Sequence, residues 1–178
     1  LNLSIDGYGK TQEYIRYPSN WNILRKNIIK ILKKRTENVR IYFVPVVQVY
    51  NILYLTQLLR WVDDLQKEYG YKIYVSPIFC TGPDFFDITM LPQNVREASL
   101  KRLNAYREEY SGHDEYLIKS LGVIKNLLKT MKKKDSIFQL RNFFEYTSIL
   151  DEKRGNSLKK DLPLLYNLMH EEYAQHSQ

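Results

Sequence analysis

"VRIYFVPVVQV", Val39 to Val49, is the stretch whose reading decides the fold. Nearly every residue in it is β-branched or aromatic, the composition of a strand covered on both faces, as in a parallel sheet. Pro45 is the awkward member: it has no N–H to give a ladder, so it predicts a bulge, an edge position or a shortened strand. Upstream, Leu1, Leu3 and Ile5 alternate with Asn2, Ser4 and Asp6, the period of a strand with one buried row and one polar, site-facing row. Downstream, "YKIYVSPIF", Tyr71 to Phe79, predicts a third strand.

Helices fill the intervals. Ser19 or Asn20 is placed to cap a helix in which Trp21, Leu24, Ile28, Ile31 and Leu32 recur at helical spacing, ending near Lys34. Leu55, Leu58, Leu59, Val62 and Leu65 make a second, closed by Gly70 at its C-terminal cap. Strand, helix, strand, helix, strand with short connections is a βαβαβ unit with right-handed crossovers. From Pro92 the chain reads as helices: "QNVREASLKRLNAYREEY", "DEYLIKSLGVIKNLLKTMKKK" and "SIFQLRNFFEYTSIL". The expected division is therefore an α/β part over residues 1–91 and a mostly helical part over 92–178, with a hinge at the Gly82-Pro83 turn or the Ser111-Gly112 break. Three parallel strands alone leave two edges with unpaired backbone groups, which proteins cover. Further strands are expected to precede Leu1.

At 178 residues the chain has room for one domain, or one domain and an appendage. Its 44% hydrophobic and 26% charged residues place it among globular rather than disordered or fibrous chains. A net charge of +7 permits attraction to nucleic acid or acidic surfaces. Much of it lies in Lys33-Lys34-Arg35 and Lys132-Lys133-Lys134, each readable as the last turn of a helix, where cations complement the dipole. Neither run is interleaved with aromatic residues. The single cysteine, Cys80, has no disulfide partner in the chain, which suits a reducing, cytoplasmic setting. No secretory signal and no apolar run of membrane-spanning length is present.

The candidate chemistry gathers at the ends of the strands. Ser4 and Asp6 close the first strand, and Gly7 and Gly9 allow a ligand to approach the backbone; the alternative is that Asp6 and Gly7 only make a turn. Glu13, Arg16 and Tyr17 precede the first helix, and an arginine there is suited to capture of a carboxylate, or else to an ion pair with Glu13. Gln48 and Asn51 offer amide groups near the same rim, or finish the second strand and cap the next helix. The histidines, His113, His170 and His176, lie far apart in sequence and near no cysteine, which argues against a zinc site. Asp84, Asp87 and Glu97 have no catalytic spacing, and no Gly-rich phosphate loop is present.

"SIDGYGKTQEYIRYPSNWNILRKNI" resembles the middle of radical S-adenosylmethionine proteins that carry a twitch-like C-terminal extension. The matching pattern is a strand ending Ser-x-Asp-Gly, a Glu-Tyr-x-Arg stretch, and an Asn-Trp helix start. "VPVVQVYNILYLTQLLRWV" resembles the strand and helix that follow, and "LDEKRGNSLKKDLPLL" the Asp-x-x-Arg-Gly…Pro segment near their C-termini. The resemblance implies half of a partial TIM-like barrel, followed by a helical twitch-like extension. It also implies a 4Fe-4S cluster that cleaves S-adenosylmethionine to a 5′-deoxyadenosyl radical, held by a CxxxCxxC loop that this chain lacks. The cluster and the first barrel strands would lie in an N-terminal half absent from this sequence. The chain would then be a truncated fragment, inactive alone, whose partner is that half and whose substrate is a peptide or small molecule. Carried over by position, Ser4 would contact the cofactor's ribose, and Arg16 its carboxylate or the loop. Pro77 would lie on the adenine side, with Asp6 the motif acid. An auxiliary cluster in the extension would have only Cys80. The alternative is a non-enzymatic basic module that binds nucleic acid or an acidic partner.

Overall fold

The computed structural model describes residues 1–109, 115–130 and 136–176. Its strands are short: β1 Asn2–Leu3, β2 Ile41–Phe43, β3 Val46–Val47, β4 Ile73–Val75 and β5 Ile78–Phe79. All pair in parallel, β1-β2-β4 as one sheet and β3 with β5 as a second. The two long strands expected over Val39–Val49 and Tyr71–Phe79 are thus each two pieces. Ile41 pairs with Ile73 and Val46 with Ile78 in one unchanged register, so Pro45 stands opposite Pro77. Neither can donate to the ladder. Ser76 N–H bonds the Phe43 carbonyl on one side of the break (2.8 Å) and Ile78 N–H bonds the Pro45 carbonyl on the other (3.0 Å), so the pairing steps across a shared gap.

The first strand is also shorter than its alternation predicts. Ile5 N–H turns back to the Leu3 carbonyl (3.0 Å), and from there the side chains no longer alternate: Ser4 is exposed while Ile5, Asp6 and Gly7 are all buried. Ser4 and Asp6 therefore do not share a row.

Helix α1, Lys10–Ile15, occupies what the sequence reads as loop; α2, Trp21–Lys34, and α3, Leu55–Tyr69, are the two expected helices. Asn20 supplies the α2 cap, its Oδ1 accepting from Ile23 N–H at 3.1 Å. Gly70 ends α3 at φ 68°, a left-handed turn that favours glycine. Leu55, Leu58, Leu59, Val62 and Leu65 are all buried, as their spacing requires. They meet the sheet face of Ile41, Phe43, Ile73 and Val75, also buried. The opposite face is not closed to the same degree. Tyr42, Val44 and Tyr74 are only half-buried, which corrects the expectation of a strand covered on both sides.

Two 3-10 turns, Asp84–Phe86 and Ile88–Met90, lead from the sheet to α4 (Gln93–Glu109), α5 (Glu115–Thr130), α6 (Ser136–Arg154), α7 (Leu158–Asp161) and α8 (Pro163–His176). Helix α4 buries Val95, Ser99, Leu103 and Tyr106. These helices share one contiguous core with the sheet, running from Ile5 to Met169. Polar bonds cross it as well: Tyr50 and Thr147 hydroxyls meet at 2.7 Å, and Asn94 Nδ2 donates to the Leu168 carbonyl at 2.8 Å. The Gly82-Pro83 turn is tied in by Val49 N–H, which donates to Phe86 O at 3.0 Å. The Ser111-Gly112 break, His113 and the Lys132-Lys133-Lys134 run lie outside the described residues. The architecture is α/β, mostly helical, with few parallel strands. No helix among the described residues is long and apolar enough to cross a membrane.

Candidate functional site

In a parallel sheet, loops at the C-terminal strand ends line the crevice where ligands bind. Here that rim is made by the segment after β1, the turn after β3 and the segment after β5. Asp6 is its pivot. Only 1% exposed, its carboxylate accepts Val46 N–H through Oδ1 (2.8 Å) and pairs through Oδ2 with Arg16 Nε. Residue 46 is where the β1–β2 register would place the next backbone partner, so the Asp6 side chain takes the ladder position that the departing β1 backbone leaves. A buried carboxylate is tolerable when charge-paired and hydrogen-bonded, and Asp6 is both.

Gln12 and Asn51 hold this pivot in place. Gln12, 2% exposed, accepts from Asp6 N–H at 2.8 Å and Gly7 N–H at 3.1 Å through one carbonyl oxygen. Asn51, fully buried, accepts from Gln48 N–H (2.9 Å) and donates to the carbonyls of Asp6 (2.9 Å) and Val46 (2.8 Å). The expectation that Asn51 caps the following helix is corrected: the residue before α3 is Tyr54, which makes no side-chain cap. Nor is the Asn51 amide free for a ligand, since both donor bonds and its carbonyl are engaged inside the fold. Gly7 is required by packing, because an added Cβ would lie 2.7 Å from Thr11 Cγ2.

Arg16 differs from these braces. Its side chain is 41% exposed and among the described residues only its Nε is committed, to Asp6, which leaves terminal donors for an acidic ligand. The alternative pair with Glu13 does not form. Glu13 instead bonds Trp21 N–H (2.9 Å) and Lys10 Nζ (3.0 Å). The bond from Trp21, then Lys10, holds the Glu13 carboxyl below its ordinary value. Ser4 is exposed at the end of β1, Gln48 is half-buried beside Asn51, and Pro77 is half-buried at the break opposite Pro45. The structure thus joins Asp6, Arg16, Gln48 and Asn51 directly, and places Ser4 just after β1 and Pro77 between β4 and β5, on either side of β2.

A second set of residues lies behind α1. Tyr14 donates to Asp151 Oδ1 (2.8 Å), whose Oδ2 accepts from Leu158 N–H (2.6 Å), while Tyr14 packs edge-on against Tyr50 (5.2 Å). Burial pushes both phenols far above their ordinary value; Asp151 adds to it at Tyr14. Arg154 lies 5.6 Å from the Tyr17 ring, and Gly155 turns at φ 65° to end α6, with Asn156 N–H reaching back to the Asp151 carbonyl (3.1 Å). The Asp-x-x-Arg-Gly motif is therefore a helix stop whose acid clamps α1 to α7. Between them opens a polar cleft of about 310 Å³ lined by Lys10, Glu13, Tyr17, Asn20, Asn156 and Asp161 among others.

Gln12 and Tyr14 carry no signal as site residues in the sequence, because α1 is too short to show a period, and Tyr50 lies in the turn between β3 and α3, where no period applies. Cys80 is half-buried, its thiol 3.3 Å from the Gly82 carbonyl. Among the described residues no group of three or more His, Cys, Asp or Glu is gathered that could hold a metal ion. No protein-family model matches the chain, and no curated protein or solved structure is significantly similar to it.

Proposed function

We propose that the chain is the cofactor- and substrate-side portion of a radical S-adenosylmethionine enzyme, part of a TIM-like barrel with a helical extension, which works only with a cluster-bearing N-terminal half. The observation that supports it best is the Asp6–Arg16 pair at the C-terminal end of a parallel strand. A buried acid there fixes an arginine whose spare donors suit a carboxylate such as that of the cofactor's methionine part. The half-covered sheet face and the ordered sequence resemblance support the same reading. The residues fit the cofactor in part: Ser4 and Arg16 are accessible, whereas Asn51 is wholly committed to the fold. They do not fit an iron-sulfur cluster, since one cysteine cannot hold it. No chemical step is assigned to this chain's own side chains; their part is to bind and orient, with the α1–α7 cleft beside the rim as the place for a polar substrate, peptide or small molecule.

The test has two parts. Reading the coding sequence upstream of Leu1 is expected to find a CxxxCxxC loop, and the complete protein, reconstituted anaerobically with iron and sulfide, is expected to release 5′-deoxyadenosine. Arg16→Ala in that protein should raise the concentration of S-adenosylmethionine needed by tenfold or more. A complete protein without three upstream cysteines, or cleavage by the isolated iron-free chain, overturns the proposal.

A further inference from the structure

The charge of this protein is concentrated on one helix. Residues 25–40 contain seven cations, Arg25, Lys26, Lys30, Lys33, Lys34, Arg35 and Arg40, against the single carboxylate of Glu37. Helix α2 buries Trp21, Ile28 and Leu32, so Arg25, Lys26, Lys30, Lys33 and Lys34 all project to solvent. Its last turn and the loop that follows form an open trough of about 380 Å³ lined by Lys30, Ile31, Lys34, Arg35, Thr36 and Val39. Among the described residues no carboxylate lines it. Lys30 and Lys34 stand on one side, one helical turn or about 6 Å apart, and the half-buried Ile31 and Val39 supply apolar surface.

Arg35 stacks on an aromatic ring. Its guanidinium carbon lies 4.2 Å from the centre of the Tyr71 ring, and its Nε is buried without an acceptor among the described residues. A buried donor left without a partner costs free energy, and as a lining residue Arg35 adds its full charge to the trough. The Arg35–Tyr71 stack is also the aromatic element that the Lys33-Lys34-Arg35 run lacks in sequence; the fold brings it from 36 residues away. The negative end of the α2 dipole opposes an anion here, but it amounts to about half a charge against three full ones in the trough. We propose that this trough binds the phosphodiester backbone of a single-stranded nucleic acid, its cations on phosphates and its apolar surface against a base. It lies at the C-terminal end of α2, whereas Arg16 precedes the N-terminal end, and it does not depend on the function proposed for the Asp6–Arg16 rim.

Fluorescence anisotropy of a labelled 20-nucleotide oligothymidine with the full chain tests it. Three phosphate contacts predict a log-log salt slope of about −2, hence an affinity loss of about 20-fold between 50 and 200 mM salt. Lys30→Gln/Lys34→Gln leaves one contact, so the slope should fall to about −0.7, a loss of about 3-fold over that range. Lys159→Gln/Lys160→Gln, an equal loss of charge elsewhere on the surface, should leave the slope unchanged. Both variants are exposed neutralisations expected to fold, checked by circular dichroism. No binding at 50 mM salt, equal effects of the two double variants, or displacement by polyglutamate as readily as by unlabelled oligonucleotide would each overturn the proposal. These readouts involve no cofactor, so failure here leaves the radical-enzyme reading standing, and the reverse.

Discussion

Replacing Asn51 by alanine is expected to destabilise the protein by about 3 kcal/mol. The side chain is fully buried and makes three hydrogen bonds between 2.8 and 2.9 Å, to Gln48 N–H and to the Asp6 and Val46 carbonyls. Each lost bond is worth about 1 kcal/mol net when its partner regains some water, and two of the three partners are only partly buried, which argues against the upper end of the range. For a chain of this size the change corresponds to a fall in Tm of about 6 to 12 °C. Urea denaturation of wild type, Asn51→Ala, Asn51→Asp and Asn20→Ala gives the comparison. Asn20→Ala removes one exposed cap bond and should cost about 1 kcal/mol. Asn51→Asp keeps an acceptor for Gln48 N–H but turns a carboxylate toward two carbonyls, so it should be worse than alanine. If Asn51→Ala costs no more than Asn20→Ala, or if aspartate is tolerated better than alanine, the side chain is not the brace described here and the rim needs another explanation.

Three further outcomes follow from other parts of the fold. Gly7→Ala should destabilise by about 1 to 3 kcal/mol, because its Cβ would stand 2.7 Å from the buried Thr11 side chain; thermal melts of Gly7→Ala beside Gly82→Ala, which has open space, check this. Tyr14 and Tyr50 are held neutral in the fold by burial, so their contribution is complete below the ordinary tyrosine pKa of about 10 and declines as pH rises above it; the urea midpoint should drop from pH 9 to 11, and drop less in Tyr14→Phe. Glu13 has the opposite sign. Its depressed carboxyl adds stability above the ordinary value of about 4.3, lost as pH falls through the lower folded value; Glu13→Gln should flatten that acid limb.

The longer helices are the legible part of this sequence, unlike the six-residue α1, because their signals are local and redundant. Five apolar positions, a left-handed glycine and an asparagine cap place α2 and α3 without reference to anything distant. The strands are legible in kind and order but not in length. Pro45 warns of an interruption, yet only the register reveals that Pro77 faces it and that both strands break at one level. The alternation of residue types runs three residues past β1, but the structure does not follow it, because Ile5 and Asp6 are both buried by the turn rather than by a sheet face. Asp6 and Arg16 stand out in the sequence by residue type and place. What does not is their division of labour: Asp6 and Asn51 are consumed by the fold, and Arg16 alone of that cluster reaches solvent with donors to spare.

That division has a physical logic which bears on both sites. At the rim, three strand ends diverge and leave backbone groups that no ladder can satisfy; Asp6, Gln12 and Asn51 answer Val46 N–H, Asp6 N–H, Gly7 N–H, Gln48 N–H and two carbonyls among them. Buried polar residues are therefore expected there whether or not a ligand binds, and their presence alone is no measure of activity. The discriminating residue is one whose position is fixed by such a network but whose own capacity is left over, and Arg16 meets that description. At the far end of α2 the same criterion selects Arg35, stacked on Tyr71 with a buried donor unanswered. The helix between them is 14 residues long, about 21 Å, so substitutions at the two arginines should add within a few tenths of a kcal/mol in stability. A double-mutant cycle of Arg16→Ala and Arg35→Ala, followed by urea denaturation, measures this; a coupling above about 1 kcal/mol would mean that α2 links the two ends and that neither can be treated as a separate site.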